Sequence, residues 1–216
     1  PLNPLIGQLL RYESAANSFY HALFVQASRR FSRRLTFNAH YTFGKSIDEA
    51  TDIHFLPHDS LNARKDRGLS TFDQRHRIVA SGVWNAPFRF TIAPIITGTT
   101  GRPFNVVTGL DFNTRRPAGA GRNIGLGPAF FSADLRVSRE FALSRTRESL
   151  RLELIAEGFN LTNRVNFKRV NNTVGDITVD DLPRPLVGEI GEVEDPLSFA
   201  AAFPARQMQI AVKLRW

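Results

Sequence analysis

Cysteine is absent from the 216 residues of the chain, and methionine occurs only once. Without cysteine, neither a disulfide framework nor a thiolate metal site can form. Long apolar runs are absent too, since no stretch reaches the roughly 18 uninterrupted apolar residues that a membrane-spanning helix needs. These absences exclude a disulfide-stapled domain and a helical membrane protein. Any membrane role must therefore use strands or a surface helix.

Common catalytic motifs are also missing from the sequence. It contains no G-x-S-x-G, P-loop, H-E-x-x-H or dinucleotide fingerprint. We therefore expect no enzyme activity and no cofactor.

The formal net charge of the chain is +8, from 28 basic and 20 acidic residues. Such a charge suits nucleic acid, anionic lipid or lipopolysaccharide as a neighbour. The basic residues cluster at turns, as in Arg29, Arg30, Arg33 and Arg34, without the interleaved aromatic side chains of a single-strand nucleic-acid platform. We expect no nucleic-acid partner.

Four segments alternate between apolar and polar residues, strictly so at 35–43, which is the pattern of a strand with one apolar and one polar face. They cover residues 35–43, 131–138, 150–157 and 207–216. Weaker strand patterns cover residues 19–27, 77–86 and 90–107, and Pro94 and several glycines interrupt the last of these. The sequence predicts an all-β fold of about seven strands.

Strand and loop lengths favour a membrane barrel. The predicted strands are nearer the roughly 9–11 residues that cross a bilayer obliquely than the roughly 5–6 of a soluble sandwich. Short turns at residues 28–34, 87–89 and 144–147 alternate with long loops at residues 45–74, 108–127 and 163–205. Outer-membrane barrels have short periplasmic turns and long outer loops, whereas a lipocalin-like soluble barrel, the main alternative, gives no reason for this alternation. We therefore predict an antiparallel transmembrane β-barrel segment.

Two structural expectations follow from that barrel. The lipid-facing side should carry Leu35, Phe37, Tyr41, Phe131, Leu135, Leu152, Leu154, Ile210 and Val212. The long loops at residues 45–74 and 163–205 should be the least ordered segments, because long loops without a core carry few buried contacts.

The last predicted strand ends on an aromatic residue. It has apolar residues at every second position, namely Met208, Ile210, Val212, Leu214 and Trp216. This pattern resembles the signal by which the outer-membrane assembly machinery recognises the last strand of a barrel. The alternative is an ordinary amphipathic strand that happens to end on Trp.

Five further segments resemble segments typical of Oar-like TonB-dependent receptors of the bacterial outer membrane, and they follow the family's order. They are FYHAL at 19–23, YTFGKSID at 41–48, RGLSTFDQRHRIVASGV at 67–83, GRPF at 101–104 and EGFNLTNRVNF at 157–167. The chain thus resembles the carboxy-terminal part of such a receptor. The resemblance implies that it lies in the bacterial outer membrane and meets outer-membrane lipid, lipopolysaccharide and the barrel-assembly machinery.

The resemblance also implies a barrel of about 22 strands with a plug in its lumen. The periplasmic protein TonB pulls on that plug to energise uptake or export of a substrate. Residues 1–216 include no plug, no TonB-contacting segment, no amino-terminal carboxypeptidase-regulatory-like domain and no export signal, so we expect a fragment of the barrel domain. TonB would then be a partner only through the missing plug. A structural or adhesive barrel without active transport is the alternative, and the sequence does not identify a substrate.

The loop at residues 45–74 carries the candidate ligand-contact residues, which are Asp48, Glu49, Asp52, His54 and His58. Function concentrates in long loops. His54 and His58 would also place two imidazoles on one side of a helical turn, as in metal sites, but no third ligand has a clear spacing. We predict a solvated acidic loop and no metal site.

A dense run of mixed charge precedes the third strand and comprises Asp66, Arg67, Asp73, Arg75 and Arg77. One hypothesis is ligand capture in a vestibule. The other, which we favour, is a network of salt bridges and hydrogen bonds that holds the base of the loop.

The predicted strand at residues 150–157 carries three charged residues, Arg151, Glu153 and Glu157. They are predicted to line a polar lumen. An acid/base pair is not favoured, because a barrel wall alone provides no pocket that excludes water.

Overall fold

A computed structural model describes residues 12–31, 34–50, 57–59, 61–109, 116–144, 150–189 and 191–216. In these ranges the secondary structure consists of strands and three short 3-10 helices, Ala63–Asp66, Pro87–Arg89 and Val179–Asp181. None of the helices in this part of the chain is long and apolar enough to span a membrane. The predicted all-β fold is confirmed.

Seven long strands build the molecule. They are β1 (Ser18–Arg30), β2 (Leu35–Asp48), β4 (His76–Ala86), β5 (Phe90–Thr99), β8 (Phe130–Ala142), β9 (Arg151–Phe159) and β12 (Gln207–Arg215). Short strands between them are β3 (Gly68–Leu69), β6 (Pro103–Phe104), β7 (Gly125–Leu126), β10 (Phe167–Val170) and β11 (Phe199–Ala202). The long strands range from nine residues in β9 and β12 to 14 residues in β2. Strands of this length can cross a bilayer obliquely.

The long strands form one open antiparallel sheet in chain order, β1-β2-β4-β5-β8-β9-β12, with β3 added to the end of β2. Short connections, at residues 31–34, 87–89 and 143–150, join strands at one end of the sheet. Long connections, at residues 49–75, 100–129 and 160–206, join strands at the other end, where their described parts lie. The predicted alternation of short turns and long loops is therefore confirmed.

The register places all nine residues predicted to face lipid on the same side of the sheet. Residues that pair directly across antiparallel strands share a face. Tyr41 pairs with Ile78, Ile78 with Gly98, and Gly98 with Phe131. The same side continues through pairs such as Leu154 with Val212. We call this side the apolar face and the opposite side the polar face.

Burial in this molecule is inverted relative to a soluble protein. Among the described residues, 14 polar or charged residues are buried, but only five hydrophobic ones are. Large hydrophobic side chains on the apolar face, such as Ile78, Ile96, Leu154 and Ile210, are instead exposed. A soluble barrel or sandwich would bury its apolar side in a dry core. The described sheet has no such core.

The strand predicted at residues 90–107 is shorter than expected. β5 ends at Thr99, and the chain then turns at Gly101 into β6. Pro94 does not break β5. On one side it pairs with Leu135 of β8, whereas on the other side it has no partner in β4. Proline lacks the N–H group, so the ladder is interrupted on one side only.

The described parts of the three long connections form one unit, which we call the cap. Connections 100–129 and 160–206 are joined by isolated bridges between Val107 and Thr173, Ala118 and Thr178, and Leu126 and Val187. Four of the five buried hydrophobic residues lie in these two connections, namely Val106, Val170, Leu182 and Leu197. The described parts of these loops thus carry buried contacts, and the expectation that residues 45–74 and 163–205 are the least ordered segments stays a prediction. The loops pack against one another and make a small core of their own.

Candidate functional site

Two of the predicted ligand-contact residues are buried and bound within the chain. Asp48, the last residue of β2, forms a salt bridge with Arg122, whose Nη2 also donates to the Asp48 backbone carbonyl at 2.8 Å. Glu49 accepts hydrogen bonds from the backbone N and the Nδ2 of Asn17, at 3.0 and 3.3 Å. Burial lowers the pKa of the Arg122 guanidinium from its usual value. Both carboxylates thus hold the cap and the chain before β1 against the end of β2.

The other three ligand-contact candidates are not brought together with these two. Asp52 and His54 lie outside the described residues. His58 is exposed, and its backbone N donates to Asp66 Oδ2 at 2.8 Å. In the described ranges, no group of three or more His, Cys, Asp or Glu side chains is arranged to hold a metal ion. Ligand contact by these five residues stays a prediction.

Part of the mixed-charge run at residues 66–77 forms the network that we favoured, whereas Arg77 lines the cavity described below. Asp66 is completely buried and makes a salt bridge with Arg116 of the next long connection. Asp73 accepts a hydrogen bond from the backbone N of Ser46 at 2.6 Å and lies 3.5 Å from Arg75 Nη2. The partner of Asp66 comes from outside the run, so the network ties two loops together.

The polar face of β8, β9 and β12 carries a row of ion pairs. Arg136 lies 3.3 Å from Glu157 and 3.8 Å from Glu153, and Arg151 lies 2.7 Å from Glu140. Across strands, such opposite charges stabilise the sheet modestly. Arg151, Glu153 and Glu157 therefore form a charged wall, as the sequence predicted.

A cavity of about 730 Å³ lies between the polar face and the cap. The sheet contributes Arg77 of β4, Thr97 and Thr99 of β5 and Phe130 of β8. The cap contributes residues of both connections 100–129 and 160–206. The volume falls in the range of small-molecule sites, which is roughly 300–1,000 Å³.

Cations dominate the charge of this cavity. Arg77, Arg102, Lys168 and Arg169 line it, and no Asp or Glu in the described part of the chain does. None of the four forms a salt bridge with another described residue. All four are exposed. The cavity therefore has a positive potential that no described carboxylate neutralises, and we call it the basic pocket.

Phenylalanine rings supply the apolar part of the basic pocket. Phe104, Phe130, Phe167 and Phe203 line it. The rings of Phe130 and Phe203 make an edge-to-face contact with centroids 5.2 Å apart, and Lys168 Nζ lies 5.8 Å from the Phe203 centroid. Phe167 stacks on Phe199 at 3.8 Å. These contacts fix the rings as a preformed wall on which a planar ligand can pack.

Glycines allow connection 100–129 to present Arg102 and Phe104 to the pocket. The backbone N of Gly127 donates to the Arg102 carbonyl at 2.8 Å, which closes the connection on itself. A Cβ at Gly101 would overlap the Gly127 carbonyl. The close backbone approach therefore requires glycine here.

The side chains of two asparagines hold β10 in position. This strand carries Phe167, Lys168 and Arg169. Asn166 accepts from the backbone N of Phe131 at 2.9 Å and donates to the Phe131 carbonyl at 2.7 Å. Asn160 donates to the Arg164 carbonyl at 2.8 Å and so closes the turn that leaves β9. Both residues lie in the EGFNLTNRVNF segment, whose amide groups thus anchor one side of the pocket to β8.

A comparison with protein families decides the class of this chain. The family model described as an outer membrane beta barrel domain matches residues 1–119 and 112–209. The chain belongs to this outer-membrane β-barrel family. No curated protein and no solved structure matches the chain.

Membership in the outer-membrane β-barrel family locates the protein in the bacterial outer membrane. It also explains the inverted burial, because a barrel of this class has an outward apolar band and a polar interior. The residues of the terminal pattern fit this class: Met208, Ile210, Val212 and Leu214 lie on the apolar face of β12 and are exposed, and Trp216 is 88% exposed.

Apart from Arg77, which belonged to the ligand-capture hypothesis that we did not favour, sequence reasoning missed the basic pocket of this outer-membrane barrel. Its four cations come from three separate segments of the chain, so no local motif marks them. One signal was available, since Lys168 and Arg169 follow Phe167 in a stretch without a nearby acidic residue. Ligand contact was predicted instead for the acidic loop, where Asp48 forms a salt bridge with Arg122 and Glu49 accepts a hydrogen bond from Asn17.

Proposed function

We propose that residues 1–216 form the carboxy-terminal part of the barrel of an Oar-like TonB-dependent transporter, which takes up or exports a substrate. The open sheet carries this proposal. β1 and β12 are its edges, and six antiparallel steps separate them, so both run in the same direction. Bacterial single-chain barrels have even, fully antiparallel strand counts. Direct closure of these seven strands would instead create a parallel seam.

Energetics support a larger barrel as well. Each unpaired backbone N–H or C=O of an open edge would cost several kcal/mol in hydrocarbon. Further strands must therefore pair with β1 and β12, and the resemblance puts their total at about 22. A barrel of that size has a wide lumen, which suits a polar face with ion pairs and a ligand-sized pocket. The role is binding and passage rather than catalysis.

The first test concerns the plug. We expect the complete gene to encode a plug domain and a TonB-contacting segment before residue 1. A photo-crosslinker placed in that segment should capture TonB in living cells, and a crosslinker at Phe88 in a short turn of the sheet serves as the control. A complete gene without a plug would contradict transport and favour a structural or adhesive barrel.

Sidedness can be tested with single cysteines, since this chain has none of its own. Leu61→Cys lies in a long connection and Phe88→Cys in a short one, and both positions are exposed. In intact cells, a large membrane-impermeant maleimide should label Leu61→Cys. Phe88→Cys should react only after the outer membrane is permeabilised, because short turns of such barrels face the periplasm. The reverse labelling would invert the proposed topology.

Trp216 tests the assembly signal. Its side chain is 88% exposed, so its removal costs little packing. We nevertheless expect deletion of Trp216 from the complete protein to lower the outer-membrane yield severely, because the aromatic end serves recognition by the assembly machinery. Heat-modifiable mobility on gels measures the yield of folded barrel. Trp216→Phe is the matched control and should assemble normally, whereas normal assembly without Trp216 would refute the signal.

A further inference from the structure

We propose that the basic pocket binds an anionic ligand that carries a carboxylate or phosphate group on a planar apolar body. This inference rests on the proposed function, in which the pocket lies on the path of a transported substrate. The proposal rests on two features of the pocket lining. One is the phenylalanine rings, and the other is a set of four cations: Arg77, Arg102, Lys168 and Arg169.

The cations of the basic pocket can bind an anion. A typical protein surface intersperses both signs, and elsewhere in the described chain Arg116, Arg122 and Arg136 each have a carboxylate partner. The four cations of the basic pocket have none among the described residues. Guanidinium groups bind carboxylate and phosphate in a bidentate manner. Arg77 belongs to β4 of the sheet and Arg169 to β10 of the cap, so both parts of the molecule contribute a guanidinium group to the lining.

The rings define the rest of the ligand. Phe130 belongs to the sheet and Phe203 to the cap, and the two rings meet edge to face where both line the cavity. Aromatic groups pack on such faces with offset or edge-to-face geometry. The hydroxyl groups of Thr97 and Thr99 on the polar face add donors for the anionic end.

Simple aromatic probes test this pocket. We would measure binding of 2-naphthoate and of 2-naphthamide to the complete purified protein in detergent by isothermal titration calorimetry. The two probes share the ring system and differ in charge. We expect 2-naphthoate to bind at least about tenfold more tightly, and its affinity to fall as salt is added. Equal affinities for the two probes would overturn the proposal.

A charge-neutralised variant locates the binding site. Arg77→Gln/Arg169→Gln should weaken 2-naphthoate binding about tenfold or more and leave 2-naphthamide binding unchanged. The matched control Arg164→Gln/Arg206→Gln removes the same charge from exposed loop positions outside the pocket and should change neither affinity. Unchanged 2-naphthoate binding in the pocket variant, with normal heat-modifiable mobility, would also overturn the proposal.

These experiments distinguish failure of the anionic-ligand proposal from failure of the transporter proposal. The calorimetry uses purified protein without TonB, so charge-selective binding can stand even if no plug is encoded and no TonB is captured. Conversely, capture of TonB together with charge-blind binding would retain the transporter and reject the anionic ligand.

Discussion

Asp66→Ala is expected to open the cap. Asp66 is 0% exposed and makes a salt bridge with Arg116, whose side chain is 5% exposed. Removing the carboxylate leaves the Arg116 charge buried without its partner, which costs about 3–5 kcal/mol. It also removes the acceptor of the His58 backbone N. Hydrogen exchange measured by mass spectrometry should become roughly a hundredfold faster or more in connections 57–75 and 100–129.

Two controls separate this effect from simple loss of an acidic residue. Asp59→Ala removes an exposed salt bridge to Lys65 in the same connection, 2.6 Å in length, and should change exchange little. The double variant Asp66→Ala/Arg116→Met removes both charges and should recover much of the protection. If Asp66→Ala exchanged as slowly as the wild type, the buried pair would not hold the two loops together.

Ile210→Arg is expected to prevent stable insertion of the barrel. Ile210 lies near the middle of β12 on the apolar face, pairs with Ala156 and is 84% exposed. In the bilayer this side chain meets hydrocarbon, where an arginine near the midplane costs about 2–4 kcal/mol. The yield of heat-modifiable protein in outer membranes measures the loss.

The neighbouring position supplies the matched control. Gln209 lies on the polar face, and its Nε2 donates to Glu157. Gln209→Arg places the same new charge next to that carboxylate in a polar lumen, so it should insert almost normally. Equal yields for Ile210→Arg and Gln209→Arg would mean that the two faces of β12 are wrongly assigned.

The strands of this protein could be predicted from sequence because their signal is local. Period-two alternation at residues 35–43 and 131–138 reports which side chains share a face, and the register of β2 and β8 agrees with it. The main strand error came at residues 90–107, where apolar residues continue past the true end of β5. There the close approach of Gly101 and Gly127 ends the strand, and that is a long-range contact.

The cap and the basic pocket could not be predicted in the same way. Their contacts join residues far apart in the chain, such as Asp48 with Arg122 and Asn172 with the Asn105 carbonyl. The composition of a loop shows that it carries charge, but it does not show whether the charge is buried against a partner. Asp48 and Arg77 are both charged residues near strand ends, yet one is closed into a salt bridge and the other faces a cavity.

The two lengths of connection also have a kinetic consequence. The short connections at 31–34, 87–89 and 143–150 make three local hairpins, β1–β2, β4–β5 and β8–β9. Hairpins of this kind form in about 1–10 μs. Longer loops cost more entropy to close, and each doubling of loop length adds roughly 0.6 kcal/mol to the free energy of closure. The hairpins should therefore form first and join pairwise, with the cap closing afterwards. β12 has no short-turn partner in this order, and it reaches β9 only across residues 160–206. Among the described pairs of long strands, the pairing of β12 with β9 therefore closes the longest connection.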